Sequence, residues 1–146
     1  MSRLLVGERI LLTIWVGGMW AIGYMVAPAL FANLEDRSLA GTLAGVMFEI
    51  IAYVGLACGS LLLILNQLRR SQRRLNWRAV VLFAMLVLVG VGQFILAPMI
   101  AELRIAGASD STPFARLHGM ASLAFLVTSL LGLLLVIWPD TGATTD

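Results

Sequence analysis

The stretch LAGTLAGVMFEIIAYVGLACGSLLLILNQL, from Leu39 to Leu68, decides the fold, because one charge, Glu49, is all that interrupts it. A bilayer's hydrocarbon core is roughly 30 Å thick and takes about 20 apolar residues of helix to cross, so this stretch is long enough with residues to spare. Outward from it, Ile10 to Leu34 and Ala79 to Ala101 carry no charge, and Leu117 to Pro139 carries only His118. Four crossings nearly use up the 146 residues. The expected fold is therefore all-α, a four-helix transmembrane bundle in one domain spanning residues 1–146, with helices at about 8–33, 39–67, 78–105 and 114–138.

Composition agrees. Hydrophobic residues make up 60% of the chain and charged residues 12%, and the mean hydropathy is +0.96. The longest polar segments, Arg69 to Arg78 and Asp140 to Asp146, are too short to enclose a core of their own, which confines any activity to the bundle and its rims. A single cysteine, Cys58, leaves no intrachain disulfide and reads as a small core residue. No nucleophile, base and orienting group can be assembled, so no enzyme and no cofactor are expected. With one histidine, His118, only a His/Met haem arrangement with Met25 or Met99 is formally open, and a metal- or haem-linked protein is the remote alternative.

Orientation follows from the arginines, which collect on the cytoplasmic side. Arg69, Arg70, Arg73, Arg74 and Arg78 stand between the second and third stretches with no acidic residue among them. That loop, and with it both termini, is expected to be cytoplasmic. The same five side chains are expected to touch anionic lipid headgroups, each contributing about 1 kcal/mol near the surface; nucleic acid is not an expected partner. Ala27-Pro28-Ala29 has the form of a signal-peptidase site, but the apolar stretch before it is too long for a signal peptide and reads as a retained helix.

Small residues mark where membrane helices approach closely. Gly41 and Gly45 form one GxxxG pair and Gly55 and Gly59 another, and Gly41, Gly45, Phe48, Ala52 and Gly59 share a helical face. Thr13, Gly17, Trp20, Tyr24 and Phe31 align similarly in the first helix, as do His118, Ser122, Phe125, Ser129 and Gly132 in the fourth. Each stripe is an expected seam, with Gly17, Gly18 and Gly119 also expected to pack between helices. Ala27-Pro28 and Ala97-Pro98 recur at matching places in the first and third helices, which suggests two tandem helical hairpins. Each proline should free a backbone carbonyl one turn earlier and kink its helix.

Polar residues within hydrocarbon are costly and tend to face protein or water. Glu49 lies about ten residues into its helix, roughly 15 Å deep, and needs a partner or a proton there. Gln93, Arg104, His118 and Tyr24 are the side chains of other helices expected to meet it. Two readings stay open. In one, the cluster ties helices together in a non-catalytic scaffold or assembly component. In the other, it handles a small ion or a proton in a transporter or channel component, with a homo-oligomer the expected assembly.

The segments WVGGMWAIGYMVAPALF (Trp15 to Phe31), AGTLAGVMFEI (Ala40 to Ile50) and FARLHGMASLAFL (Phe114 to Leu126) resemble the transmembrane protein 205-like family, also catalogued as a bacterial domain of unknown function. The distinctive parts are Trp15, Gly17 and Gly18, the Ala27 to Phe31 ending, and Arg116, His118 and Gly119. The resemblance implies a four-helix integral membrane protein, here of a bacterial inner membrane, and implies no settled activity. The first helix is also loosely similar to CopD-type copper-resistance membrane proteins, although this chain lacks the several histidines that copper would use.

Overall fold

The computed structural model describes residues 3–68 and 76–138. Helix starts and stops in it follow local chemistry. Asp36 accepts hydrogen bonds from the Ser38 and Leu39 N–H groups at 2.8 and 3.1 Å, Asn76 from Ala79 N–H at 2.6 Å, and Ser111 from Phe114 N–H at 3.3 Å, satisfying donors that the first helical turn leaves unpaired. Gly107, at φ +71°, closes the third helix: its N–H bonds the Arg104 carbonyl while Ala108 N–H reaches back to Leu103. This left-handed closure favours glycine.

Between these signals run four helices long and apolar enough to cross a membrane, α1 (Leu4–Asn33), α2 (Arg37–Leu68), α3 (Trp77–Ile105) and α4 (Thr112–Ile137). No strand occurs among the described residues. Each helix packs against the next, and α4 returns to α1, giving the expected four-helix bundle with the start of α1 and the end of α4 on one side.

The prolines act as a widened turn. Five-residue π-helical segments, Ile22–Val26 in α1 and Gly92–Leu96 in α3, directly precede Ala27-Pro28 and Ala97-Pro98. Ala27 N–H bonds the Ile22 carbonyl and Ala97 N–H the Gly92 carbonyl, five residues back where an α-helix would reach four. A proline ring crowds the carbonyl four residues before it, and a π turn re-satisfies the backbone inside a membrane where water cannot.

The core is built on close approach. Trp15, Met85 and Leu135 are fully buried. The Trp15 indole lies across Gly55 and Gly59: a Cβ at Gly55 would collide with Nε1, and one at Gly59 would stand 2.8 Å from the ring's Cζ3 and 2.7 Å from Leu86 Cδ2. A Cβ at Gly18 would meet Ile51 at 2.6 Å, and one at Gly132 would meet Val16 at 2.9 Å. Gly41 packs on Arg104, whereas Gly17 and Gly119 face open space, so these two are not helix contacts. The expected α1 seam is corrected except at Tyr24, which reaches α4. Thr13, Gly17, Trp20, Tyr24 and Phe31 are exposed, while Leu12, Trp15, Val16 and Met19 are buried.

Polar contacts fasten the end of the bundle beside the α2–α3 loop. Arg78 was expected at the lipid rim, yet it is 3% exposed. Its guanidinium pairs with Glu8 of α1 and donates to the Leu135 and Trp138 carbonyls at the end of α4. Asn66 and Asn76 exchange amide hydrogen bonds at 3.1 and 3.4 Å across the α2–α3 hairpin. Arg69, Arg70, Arg73 and Arg74 lie outside the described residues.

Gly59→Ala is expected to destabilise the bundle by about 1–3 kcal/mol, because the added methyl overpacks Trp15 and Leu86. Gly17→Ala should stay within about 0.5 kcal/mol of wild type, and reversible unfolding in mixed micelles compares the two. By the same assay Arg78→Met should be clearly more destabilising than Gly17→Ala, since it removes the guanidinium that ties α3 to Glu8 and to the Leu135 and Trp138 carbonyls of α4, and the Glu8→Gln, Arg78→Met double variant should lose less than the two single losses combined.

Candidate functional site

Glu49, Gln93, Arg104, His118 and Tyr24 were expected to converge, and the helices distribute them instead. No hydrogen bond or ion pair joins any two of the five. Glu49 is exposed on the outer side of α2 and Gln93 is half-buried in the π turn of α3. A register in which Glu49 faced inward would rotate Gly55 and Gly59 away from Trp15, so the close packing of α1 on α2 is what turns the carboxyl out.

Arg104 and His118 come nearer to each other, through a ring between them. The Arg104 guanidinium is half-buried over Gly41 and Gly45, where added Cβ atoms would lie 3.4 and 3.6 Å from it. Its Cζ stands 6.0 Å from the Phe114 ring centroid, and the exposed His118 imidazole stacks on the same ring at 5.9 Å with planes 5° apart. A cation over an aromatic face gains about 0.5–1 kcal/mol at an exposed site. The arrangement holds the end of α3 to the start of α4. It offers a fixed cation beside an imidazole and includes no carboxylate.

Tyr24 belongs to a third place. Its hydroxyl donates to Ser129 Oγ of α4 at 3.3 Å, and Ser129 is 1% exposed. Tyr24 also meets Trp20 and Phe125 edge-on at 5.8 and 5.9 Å, and Phe48 reaches Phe125 at 5.3 Å. Room for this cluster comes from Gly23, where a Cβ would collide with the Phe125 ring.

Sequence reasoning missed the contacts that are built most firmly: Glu8 with Arg78, and Asn66 with Asn76. A signal for the first was present, since Glu8 is an acidic residue among basic ones on the side where arginines collect. Asn66 and Asn76 bracket the loop symmetrically, which marks them in hindsight as closing polar residues of a hairpin. Phe114 carries no polar signal and could not have been singled out.

Among the described residues no three of His, Cys, Asp and Glu gather closely enough to hold a metal ion. An open groove of about 520 Å³ between α2 and α3 is lined by Leu63, Ile64, Leu68, Ala79 and Phe83 with Gln67. It is almost wholly apolar and lies toward the loop end, away from Arg104.

A family model described as a domain of unknown function, DUF4149, matches residues 10–109, and the chain belongs to that family. No curated protein and no solved structure matches it. The match agrees with the expected kind of family and does not extend to the transmembrane protein 205-like or CopD-type names.

Tyr24→Phe should lower stability by about 0.6 kcal/mol, the mean for interhelical hydrogen bonds in membranes. Glu49→Gln should leave the unfolding of the single chain in micelles unchanged, whereas a carboxylate ion-paired inside the bundle would show a clear loss on the same measurement.

Proposed function

We propose that this member of the DUF4149 family is a non-catalytic multi-pass membrane protein that acts as a scaffold or assembly component. The observation that carries the reading is where its interior polar groups go. Arg78 with Glu8, Asn66 with Asn76, and Tyr24 with Ser129 each join one helix to another, while Thr128 bonds its own helix and the buried Trp15 Nε1 has no hydrogen-bond partner among the described residues, so the polar contacts made between helices serve to fasten the bundle. Glu49 and His118, the titratable groups a transport mechanism would call on, are both exposed and sit in separate places. Ion or proton handling by one chain needs them to converge on a path through the protein.

Further parts of the proposal rest on sequence. The arginine-rich loop faces the cytoplasm and anionic lipid, the membrane is a bacterial inner membrane, and the kinship with transmembrane protein 205-like proteins rests on Trp15, Gly17, Gly18, Arg116, His118 and Gly119.

Reconstitution tests the reading. In vesicles loaded with a pH-sensitive dye, an imposed proton gradient should decay at the rate of protein-free vesicles. A leak that grows with protein content and falls in Glu49→Gln would overturn the scaffold reading in favour of proton transport.

A further inference from the structure

The polar side chains of α2 lie on the side opposite the core. At about 100° per residue, Thr42, Glu49, Tyr53, Ser60 and Gln67 fall within an arc of about 40°, and all five are exposed, Tyr53 at 50%. Gly41, Ile51, Gly55, Cys58 and Leu62 are buried on the other side of the same helix. Asn66 is the polar residue that turns inward, to Asn76.

Depth makes this stripe expensive. A helix of 32 residues is about 48 Å long at 1.5 Å per residue and the hydrocarbon core is about 30 Å thick, so Thr42 and Gln67 reach the rims while Glu49, Tyr53 and Ser60 lie within the hydrocarbon. Thr42 bonds the Ser38 carbonyl of its own helix, and Tyr53 touches Phe94 of α3 edge-on at 6.3 Å. Glu49, Ser60 and Gln67 have no hydrogen-bond or ion-pair partner among the described residues. Acyl chains offer them none, and polar groups at this depth turn to protein or water.

We propose that this face of α2 is the interface of a homodimer, in which α2 lies against α2 of a second copy. Copies inserted in one orientation and related by a twofold axis along the membrane normal run parallel, so each stripe residue meets its own counterpart at its own depth. The stripe is suited to that. Threonine, tyrosine, serine and glutamine each both donate and accept a hydrogen bond, so each can satisfy a copy of itself, and the Glu49 carboxyl can accept from the hydroxyl and amide donors of the facing stripe. Spacing agrees as well, since with Val46 the positions 42, 46, 49 and 53 advance by four, three and four, the pattern of a left-handed helix pair. The exposed row Thr13, Gly17, Trp20 and Tyr24 of α1 has the same spacing, but its two hydroxyls are already bonded, Thr13 to the Arg9 carbonyl of its own helix and Tyr24 to Ser129 of α4, and the exposed polar residues of α4, Arg116, His118 and Ser122, crowd toward its start. The interface does not depend on the scaffold reading, because a transporter could be built on the same dimer.

The test uses the full chain in lipid vesicles in a Cys58→Ala background. Under mild oxidation Ser60→Cys and Thr42→Cys should give covalent dimers, while Val87→Cys and Leu123→Cys, exposed at 46% and 61% on α3 and α4, should not. Energy transfer between labelled copies should show dimers that associate about tenfold more weakly in Glu49→Leu and stay near wild type in Glu49→Gln, which keeps a pairing side chain. Copies that stay single at every protein-to-lipid ratio, cross-links that form as readily at Val87 or Leu123, or an association indifferent to Glu49→Leu would each overturn the proposal. Proton flux from the same vesicles is read separately, so failure of the dimer and failure of the scaffold reading are told apart.

Discussion

One guanidinium closes an end of this bundle. Arg78 starts in α3, pairs with Glu8 of α1 and donates to the last carbonyls of α4, while the neighbouring Asn76 holds Asn66 of α2. The final carbonyls of a helix have no partner within it, and a cation there also suits the negative end of the helix dipole. Four helices are thus gathered at one level by side chains that satisfy each other. With that end fixed, the rest of the packing depends on how near the helices come, and nearness is set by Gly55 and Gly59 under Trp15 and by Gly132 under Val16 and Met85. The far end is held more loosely, by edge-on aromatic contacts around Tyr24 and Phe125 and by the Arg104, Phe114 and His118 stack.

The count of helices and their membrane-spanning character were legible because both depend on the length of apolar runs, which a sequence states directly. Which way each helix faces was not. In water an apolar stripe points to the core, but in a bilayer the surroundings are as apolar as the interior, and helices associate through packing and polar contacts. The row Thr13, Gly17, Trp20, Tyr24 and Phe31 looked like a seam for its small and polar members, yet apart from Tyr24, whose hydroxyl reaches Ser129, it faces outward; the large apolar Trp15 and Met19 fill the inside. Gly55 and Gly59 were expected as contacts from their spacing, but the residue they lie under, the Trp15 indole, carries no signal that pairs it with glycine.

The candidate cluster failed for a related reason. Depth along a helix can be counted, so Glu49, Gln93, Tyr24 and His118 could be placed at comparable levels. Angle about the axis cannot be carried through α1 or α3 at a constant 100° per residue, because each contains a π turn that resets it. Arg78 shows the complementary error: assigned with its neighbours by charge alone, it serves the interior because Glu8 and the end of α4 are within its reach.

The two π turns put one demand on both hairpins. Each amounts to one extra residue inserted into an α-helix, and each sits immediately before an Ala-Pro pair, Ala27-Pro28 in one hairpin and Ala97-Pro98 in the other. The ring of each proline crowds the carbonyl four residues back, and the wide turn takes up that crowding at the same place in both helices. Trp15 and Met85 stand the same distance before these pairs and are both fully buried, so the two hairpins meet the core in matching register, one with an indole and the other with a thioether.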